Sequence, residues 1–366
     1  MRNPTNAKLR KFAYFCTYEE KLLGMSLREL QTVVQELSLP RFTASQIADW
    51  LYKKRVDSIE KMTNLSKAAR EKLSEDWEVG WTMPAESFRS KDGTVKYLFE
   101  VECPVASAPH AQSSVIEAVV IPDEDRKTLC ISSQAGCKMG CRFCMTGRGG
   151  WHGNLDRAQI LSQILSIPEG PDLTNVVFMG MGEPLDNYET LSAVLDVMTS
   201  EWGFAWSPKR ITVSSIGVLP MLKRLLDEHK CHIAISLHNP FPDERLQMMP
   251  VQAAFPIQDV VALLKRYDFS GQRRISFEYT MFAGFNDDRR HADALCRILK
   301  GLECRVNMIR FHKIPDFPYE TSAAEVMDAF RTRLNAGGIT ATIRASRGED
   351  IMAACGLLAG KHKAKA

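Results

Sequence analysis

No apolar run in this 366-residue chain approaches the roughly 20 residues that a membrane-spanning helix needs. The first residues show no leader-like apolar stretch, so the expected setting is the cytoplasm, with no membrane partner. No internal repeat of the solenoid type is present, which sets aside stacked-repeat architectures. Low complexity is confined to the short tail Lys361–Ala366. The formal charge is only +3 and the basic residues cluster weakly, so charge by itself does not argue for nucleic acid. Ten cysteines without a leader fit a reducing compartment. What is there is an ordinary globular composition, 45% hydrophobic, enough for a sizeable core in one large domain with or without an appendage.

Residues Met1–Glu20 carry no clear element. From Ser26 the pattern turns helical: Ser26 and Glu29 make a capping box, and Leu27, Leu30, Val33, Val34 and Leu37 recur at helical spacing until Leu39-Pro40. Thr43 and Gln46 predict a second capping box, for a helix that buries Ile47, Trp50 and Leu51 and ends on Lys53-Lys54-Arg55. A third helix is expected from Lys67 to Asp76. Residues 1–85 thus read as a small all-helical domain, either a stabilising cap or a module that docks RNA through its basic triplet. Residues 86–125 read as a β extension with strands at Val95–Val101 and Val115–Ile121.

From Thr128 strands and helices alternate. Strands are expected at Thr128–Ser132, Asn175–Met179, Arg210–Ser214, His232–Leu237, Arg274–Met281, Arg305–Phe311 and Ile339–Arg344, with six helical patterns between them. Repeated β–α units predict a parallel sheet, open or curled into a barrel, over residues 126–345, followed by a C-terminal segment at 346–366. In such folds the working residues gather at the C-terminal ends of the strands. The sequence agrees: Cys137 follows the first strand, Gly180-Met181-Gly182-Glu183-Pro184 the second, Ser214 ends the third, and Ser236-Leu237-His238 ends the fourth.

Cys137, Cys141 and Cys144 lie on a glycine-rich loop and suit a metal or an iron–sulfur cluster. Closed sites of either kind want four ligands, and the loop offers three. A cubane on three thiolates leaves one iron open to a chelating small molecule. The alternative is a structural zinc completed by a distant residue such as His152. Glu183 can accept hydrogen bonds from an ammonium or hydroxyl group, and Ser214, Ser236 and His238 can orient a ligand bearing a carboxylate and a sugar. Cys16, Cys231 and Cys296 read as small buried apolar residues, as do Cys103 and Cys304. Cys130, on the first strand, and Cys355, in a Gly-, acid- and Ala-rich segment, read as either inert or functional.

Thr128-Leu129-Cys130-Ile131-Ser132-Ser133-Gln134, the three-cysteine loop, Phe178–Pro184, Ser236-Leu237-His238 and Arg347-Gly348-Glu349-Asp350-Ile351 with Ala353-Ala354-Cys355-Gly356 resemble the radical S-adenosylmethionine (SAM) adenine C2-methyltransferases of 23S rRNA and tRNA. The resemblance spans about residues 20–360. It implies an α/β fold, a partial (βα)6 radical-SAM barrel with a small N-terminal helical domain that helps engage RNA. It implies a [4Fe-4S] cluster on Cys137, Cys141 and Cys144, and SAM held by Gly182, Glu183, Ser214, Ser236, Leu237, His238 and His312, the last standing where some members have asparagine. The reaction it implies uses two SAM molecules per turnover. The first methylates Cys355, and the second gives a 5′-deoxyadenosyl radical that takes a hydrogen from that methyl. The carbon radical adds to C2 of adenine, Glu117 accepts the proton, and Cys130 releases the product, leaving a disulfide with Cys355. The implied partners are 23S rRNA, tRNA and a reductant such as flavodoxin or ferredoxin, with the enzyme a monomer. The rival activities are methylation at C8 of the same kind of adenosine and, in another class, a zinc-stabilised RNA-binding protein without catalysis.

Overall fold

The computed structural model describes residues 20–103, 112–271 and 273–360. Cys16 and the Lys361–Ala366 tail, both assigned above, lie outside the described residues. After β1 (Glu20–Lys21), helix α1 (Leu27–Glu36) starts on the expected capping box: Ser26 N donates to Glu29 Oε2 at 2.7 Å and Glu29 N to Ser26 Oγ at 3.3 Å. The second box does not form. Phe42 is the N-cap of α2 (Thr43–Ala48), and Thr43 is already inside the helix and buried, away from the orphan amides it was expected to cap. α2 runs into a π turn, Asp49–Lys53, before α3 (Lys67–Ser74), whose N-cap Ser66 accepts the Ala69 amide. β2 (Trp77–Glu78) pairs in parallel with β1, so the helical module is closed by two short strands that the sequence reading omitted. Two-residue strands carry no alternation to read.

The basic triplet does not form one patch. Lys53 is exposed, Lys54 pairs with Asp49 at 3.2 Å and lies over Trp50, and Arg55 turns inward over Phe204. The module is fixed to the larger body through Arg157 Nη1, which donates to both oxygens of Glu29 at 2.8 and 3.0 Å, and through Tyr52, whose hydroxyl donates to Met25 O and whose ring meets Trp202 edge-on.

Strands β3 (Glu86–Arg89), β4 (Val95–Cys103), β5 (Gln112–Asp123) and β6 (Arg126–Cys130) form an antiparallel run. A small hairpin, β7 (Gln134–Gly136) with β8 (Trp151–Asn154), encloses the short helix α4 (Met145–Arg148) and leads to α5 (Arg157–Leu165). From β6 the sheet continues in parallel through β9 (Asn175–Phe178), β10 (Ile211–Ser215), β11 (His232–Ser236), β12 (Ile275–Met281), β13 (Arg305–Arg310) and β14 (Thr340–Ile343). The connecting helices are α6 (Tyr188–Thr199), α7 (Leu219–Glu228), α8 (Pro242–Met248), α9 (Ile257–Leu264), α10 (Arg289–Leu299) and α11 (Ala324–Ala336). All seven expected strands are present within about two residues of their expected ends. β14 and β3 are the edges, so the sheet stays open. Among the described residues no helix is long and apolar enough to cross a membrane.

One large apolar core underlies this sheet and reaches into the N-terminal module. A second, separate core gathers Phe143, Met248, Met249, Phe282, Phe311, Ala354 and Leu357, with Cys141 and Cys144 at its margin. It packs the cysteine loop against the residues that flank Cys355.

Candidate active site

Flat, the seven parallel strands would put β6 and β14 on the order of 29 Å apart at a spacing of about 4.8 Å. A single cavity of ≈ 180 Å³ is nevertheless lined both by Cys137, from the loop after β7, and by Arg344, just past β14. The sheet is therefore curled, and the C-terminal ends of its strands converge on that cavity.

The cysteine loop is built into the β7–β8 hairpin. Gly136 ends β7 at φ +74°, where a Cβ would lie 1.9 Å from Gly150 O, so the turn admits only glycine. Cys137 N then donates to Gly150 O at 2.8 Å, and Cys144 N to Cys141 O at 3.1 Å. All three thiols line the cavity. Burial pushes Cys137 up to about 12 against a Met139 hydrogen bond that lowers it, with Glu183 and Cys144 adding to the rise. Burial and the charges of Cys144 and Cys137 push Cys141 well above its ordinary value. Soft donors that burden one another in this way fit a cationic centre that discharges them. The zinc alternative loses its fourth ligand, because His152 Nε2 sits 3.2 Å from Gly149 O and does not line the cavity. Three soft donors on one cavity wall fit a cubane that keeps one iron open.

Gly182, at φ +101°, lets the turn after β9 lie on β7: a Cβ there would stand 2.6 Å from Gln134 Cβ, and Glu183 N donates to Gln134 Oε1 at 2.9 Å. The Glu183 carboxylate accepts Leu185 N at 3.1 Å and Ile216 N at 3.0 Å. Burial raises it to about 7, against the Ile216 amide and the Ser215 hydroxyl, which lower it. Ser214, Ser236 and His312 also line the cavity, the last with Nδ1 3.4 Å from Glu349. His238 Nδ1 accepts Thr280 N at 2.9 Å, and burial with the nearby Arg245 charge lowers its pKa to about 3. The imidazole is therefore neutral, and the tautomer that this hydrogen bond implies leaves the Nε2 proton for a ligand. Leu237 is different. Its side chain is fully buried in the core and does not line the cavity.

Cys355 opens onto the cavity from the C-terminal segment. Cys130, half-buried at the end of β6, does not itself line the cavity; burial and the Cys355 charge push its thiol up to about 12. The disulfide expected between them is absent: both are free thiols, and among the described residues no disulfide forms. The thiolate that exchange needs is disfavoured at Cys130 by its burial. Of the cysteines read as small apolar residues, Cys103 and Cys231 are buried, while Cys296 and Cys304 are half-buried.

Glu117 does not line the cavity. It is buried on β5, where Oε1 accepts Ala359 N at 2.9 Å and Gly360 N at 2.7 Å. Oε2 faces Lys96 Nζ at 3.1 Å without hydrogen-bond geometry. Upstream of Cys355, Asp350 accepts Ser90 Oγ and Lys91 N, and Asp92 accepts Gly348 N at 2.8 Å. Thr146 Oγ1 donates to Leu358 O, and Met145 N to Gly356 O. Both ends of the segment are thus strapped to β3–β5 and to α4.

Sequence reasoning missed Glu278 and Thr280 on β12, Arg344 after β14, and Phe143, which meets His238 edge-on at 4.9 Å. Glu278 accepts Asn307 Nδ2 at 2.8 Å and Ser276 Oγ at 3.0 Å. The signal was available in the strand-end rule, which was applied to four strands and holds for all seven.

An open, curled parallel sheet with a three-cysteine loop on its C-terminal rim defines a radical SAM enzyme. Residues 131–295 match the radical SAM superfamily, and residues 20–79 match the ribosomal RNA large subunit methyltransferase N-terminal domain. A probable dual-specificity RNA methyltransferase RlmN of Parabacteroides distasonis is 55% identical over 93% of this chain and 96% of that protein. The dual-specificity RNA methyltransferase RlmN of Syntrophus aciditrophicus is 40% identical over 92% of this chain and 95% of that protein. The crystal structure of a radical SAM methyltransferase from Sphaerobacter thermophilus superposes with a TM-score of 0.85 at 35% identity, covering 93% of this chain and all of the other. The chain belongs to the RlmN family of dual-specificity RNA methyltransferases.

Proposed function

We propose that the protein methylates C2 of an adenosine in 23S rRNA, and in tRNA as a second substrate, with Cys355 as the methyl carrier. The observation that carries this reading is one cavity lined by Cys137, Cys141, Cys144, Glu183, Ser236 and Cys355 together. The three loop cysteines hold a [4Fe-4S] cluster; SAM bound there, two molecules per turnover, supplies the transferred methyl and a 5′-deoxyadenosyl radical. Gly182 and Glu183 receive the amino group, Ser214, Ser236, His238 and His312 orient the rest, and Leu237 acts through the strand end it packs. Cys355 presents a methyl on its sulfur to the cavity, and Cys130 is the thiol that releases the product in this reading. Glu117 is the proton acceptor in this reading, once it lets go of Ala359 and Gly360. The reductant is a flavodoxin or ferredoxin, the N-terminal module engages RNA, and the enzyme works as a cytoplasmic monomer.

The test is protein purified without oxygen together with nucleoside analysis of RNA from cells with and without the gene. Brown protein with about four irons per chain and gene-dependent 2-methyladenosine are expected. Colourless protein with stoichiometric zinc, or 8-methyladenosine alone, overturns the reading.

A further inference from the structure

Asn286 is buried with no exposure at all in the connection between β12 and α10, and it does not line the cavity. Its backbone is fixed on both sides. Asn286 N donates to Phe282 O at 3.4 Å, and Asn286 O accepts the hydroxyl of the fully buried Tyr279 at 2.7 Å. The side-chain amide then uses every polar group it has. Nδ2 donates to His238 O at 2.7 Å and to Thr280 O at 2.8 Å, and Oδ1 accepts Phe282 N at 2.7 Å. These partners dictate how the amide is turned, because a flip would set its oxygen against two carbonyls and its NH2 against an N–H. Among side chains of this length asparagine alone offers two donors and an acceptor on one planar group.

The residue it holds is in an unfavourable conformation. His238 has left β11 and sits at φ +55°, left-handed backbone that is costly for any residue with a side chain. Such backbone persists where its surroundings over-determine it. Here His238 N donates to Glu278 O at 3.2 Å, the His238 carbonyl takes the Asn286 amide, and the ring Nδ1 accepts Thr280 N at 2.9 Å. The carbonyl of the same Thr280 is the second acceptor of the Asn286 amide. One buried amide therefore ties the backbone of His238 to the strand residue that orients its ring. His238 and Thr280 both line the cavity.

We propose that Asn286 is a positioning residue for SAM binding, its side-chain amide locking His238 in the left-handed turn that presents the imidazole to the cavity. This rests on the reading of His238 as a SAM contact. The lock is in place before the ligand arrives. A ring left free would have to be ordered on binding, and the freedom lost at that moment would weaken the complex.

The experiment measures SAM binding to the full-length protein, loaded anaerobically with iron and sulfide. It compares the parent with Asn286→Asp, Asn286→Ser, His238→Ala and the double variant His238→Ala with Asn286→Ser, each with its iron content and a thermal melt. Asp keeps the shape of Asn but sets oxygen against the two carbonyls. Ser removes the amide without added bulk, and it decides the matter if the Asp variant does not fold. SAM affinity is expected to fall about tenfold in the Asn286 variants, the loss of one well-made hydrogen bond. The KM for SAM should rise by more than kcat falls. In the His238→Ala background, Asn286→Ser should change affinity by less than about twofold, because the group it positions is gone. Unchanged affinity in Asn286→Ser overturns the proposal, since the ring then needs no lock. A further tenfold loss in the double variant also overturns it, since Asn286 then acts through the fold at large. If His238→Ala binds SAM as the parent does, the underlying reading of His238 fails instead, and that single variant tells the two failures apart.

Discussion

Residues 137–150 and residues 346–360 meet at one cavity, but they are held there differently. The cysteine loop is closed by its own hairpin: Gly136 admits no side chain, and Cys137 and Cys144 bond to Gly150 and Cys141 close by in sequence. The carrier segment has one 3-10 turn, Glu349–Ile351, and little regular structure besides. Its fixed points come from 212 to 260 positions away, from Thr146, Glu117, Asp92 and Ser90. In the proposed reading, the loop that would keep a cluster at constant geometry is written locally. The thiol that would receive a methyl and deliver it is held by side-chain straps from distant parts of the chain.

Breaking each region in turn gives the largest effect. Cys141→Ala is expected to lose the cluster and all methylation. Cys355→Ala is expected to keep its iron and SAM binding and still lose methylation completely. Iron analysis beside nucleoside mass spectrometry reads both, and normal methylation by Cys355→Ala would remove the carrier role.

The same contrast explains what could be read from the sequence. Cys137, Gly182, Ser214, Ser236 and His238 follow strand ends, and strand ends follow from alternation and β-branched runs such as Asn175–Phe178, so rim and cavity came out together. The straps were not legible. Nothing about Asp350 or Ser90 marks them as partners across 260 residues, because that pairing is decided by tertiary packing alone. Thr43 misled for a related reason: its capping pattern is local, but burial placed it inside the helix. Leu237 sits within a matching motif, yet just past the end of β11 its side chain is buried in the core while its neighbours Ser236 and His238 face the cavity.

The strap at Glu117 is the next effect in size. Replacing Glu117 with Ala leaves the buried Lys96 charge with only the Met352 carbonyl at 3.4 Å and strips two amides of their acceptor, at a cost of about 3–5 kcal/mol. Urea unfolding measures it. A double change, Glu117→Leu with Lys96→Met, is expected to recover most of that stability, since an apolar pair can replace a buried ion pair. It should leave the C-terminal end of the carrier segment open to proteases, because the amides stay unsatisfied. Full protection in the double variant would show that the strap is not what holds the segment.

The upstream strap makes a smaller, pH-bounded prediction. Burial tends to raise the Asp92 carboxyl, but the Gly348 and Thr94 amides outweigh it and hold it well below the usual range. Asp350, bonded by Ser90 and the Lys91 amide, is lowered as well. Carboxylates with depressed native pKa contribute stability that is present above their unfolded value, about 3.9, and is lost as pH falls through the native value. Protease protection of the segment should therefore be constant from pH 8 to pH 5 and fall only well below pH 4. Asp350→Asn should show reduced protection already at neutral pH. A loss of protection near pH 6 in the parent would mean that a group other than these two carboxylates governs the strap.

The smallest effect lies at Met352, three residues before Cys355. It holds φ +55° although it is not glycine, and the residue is 46% exposed. Left-handed backbone costs a side-chain-bearing residue about 1–2 kcal/mol, partly returned on substitution with Gly by the greater freedom of the unfolded chain. Met352→Gly is thus expected to raise stability by at most about 1 kcal/mol, with iron content unchanged. If the strain helps keep Cys355 aimed at the cavity, the same variant methylates RNA more slowly despite its greater stability. Opposite signs in unfolding and in single-turnover methylation would separate a carrier segment held under tension from one that merely rests on its straps, a separation that no change in the cysteine loop can make.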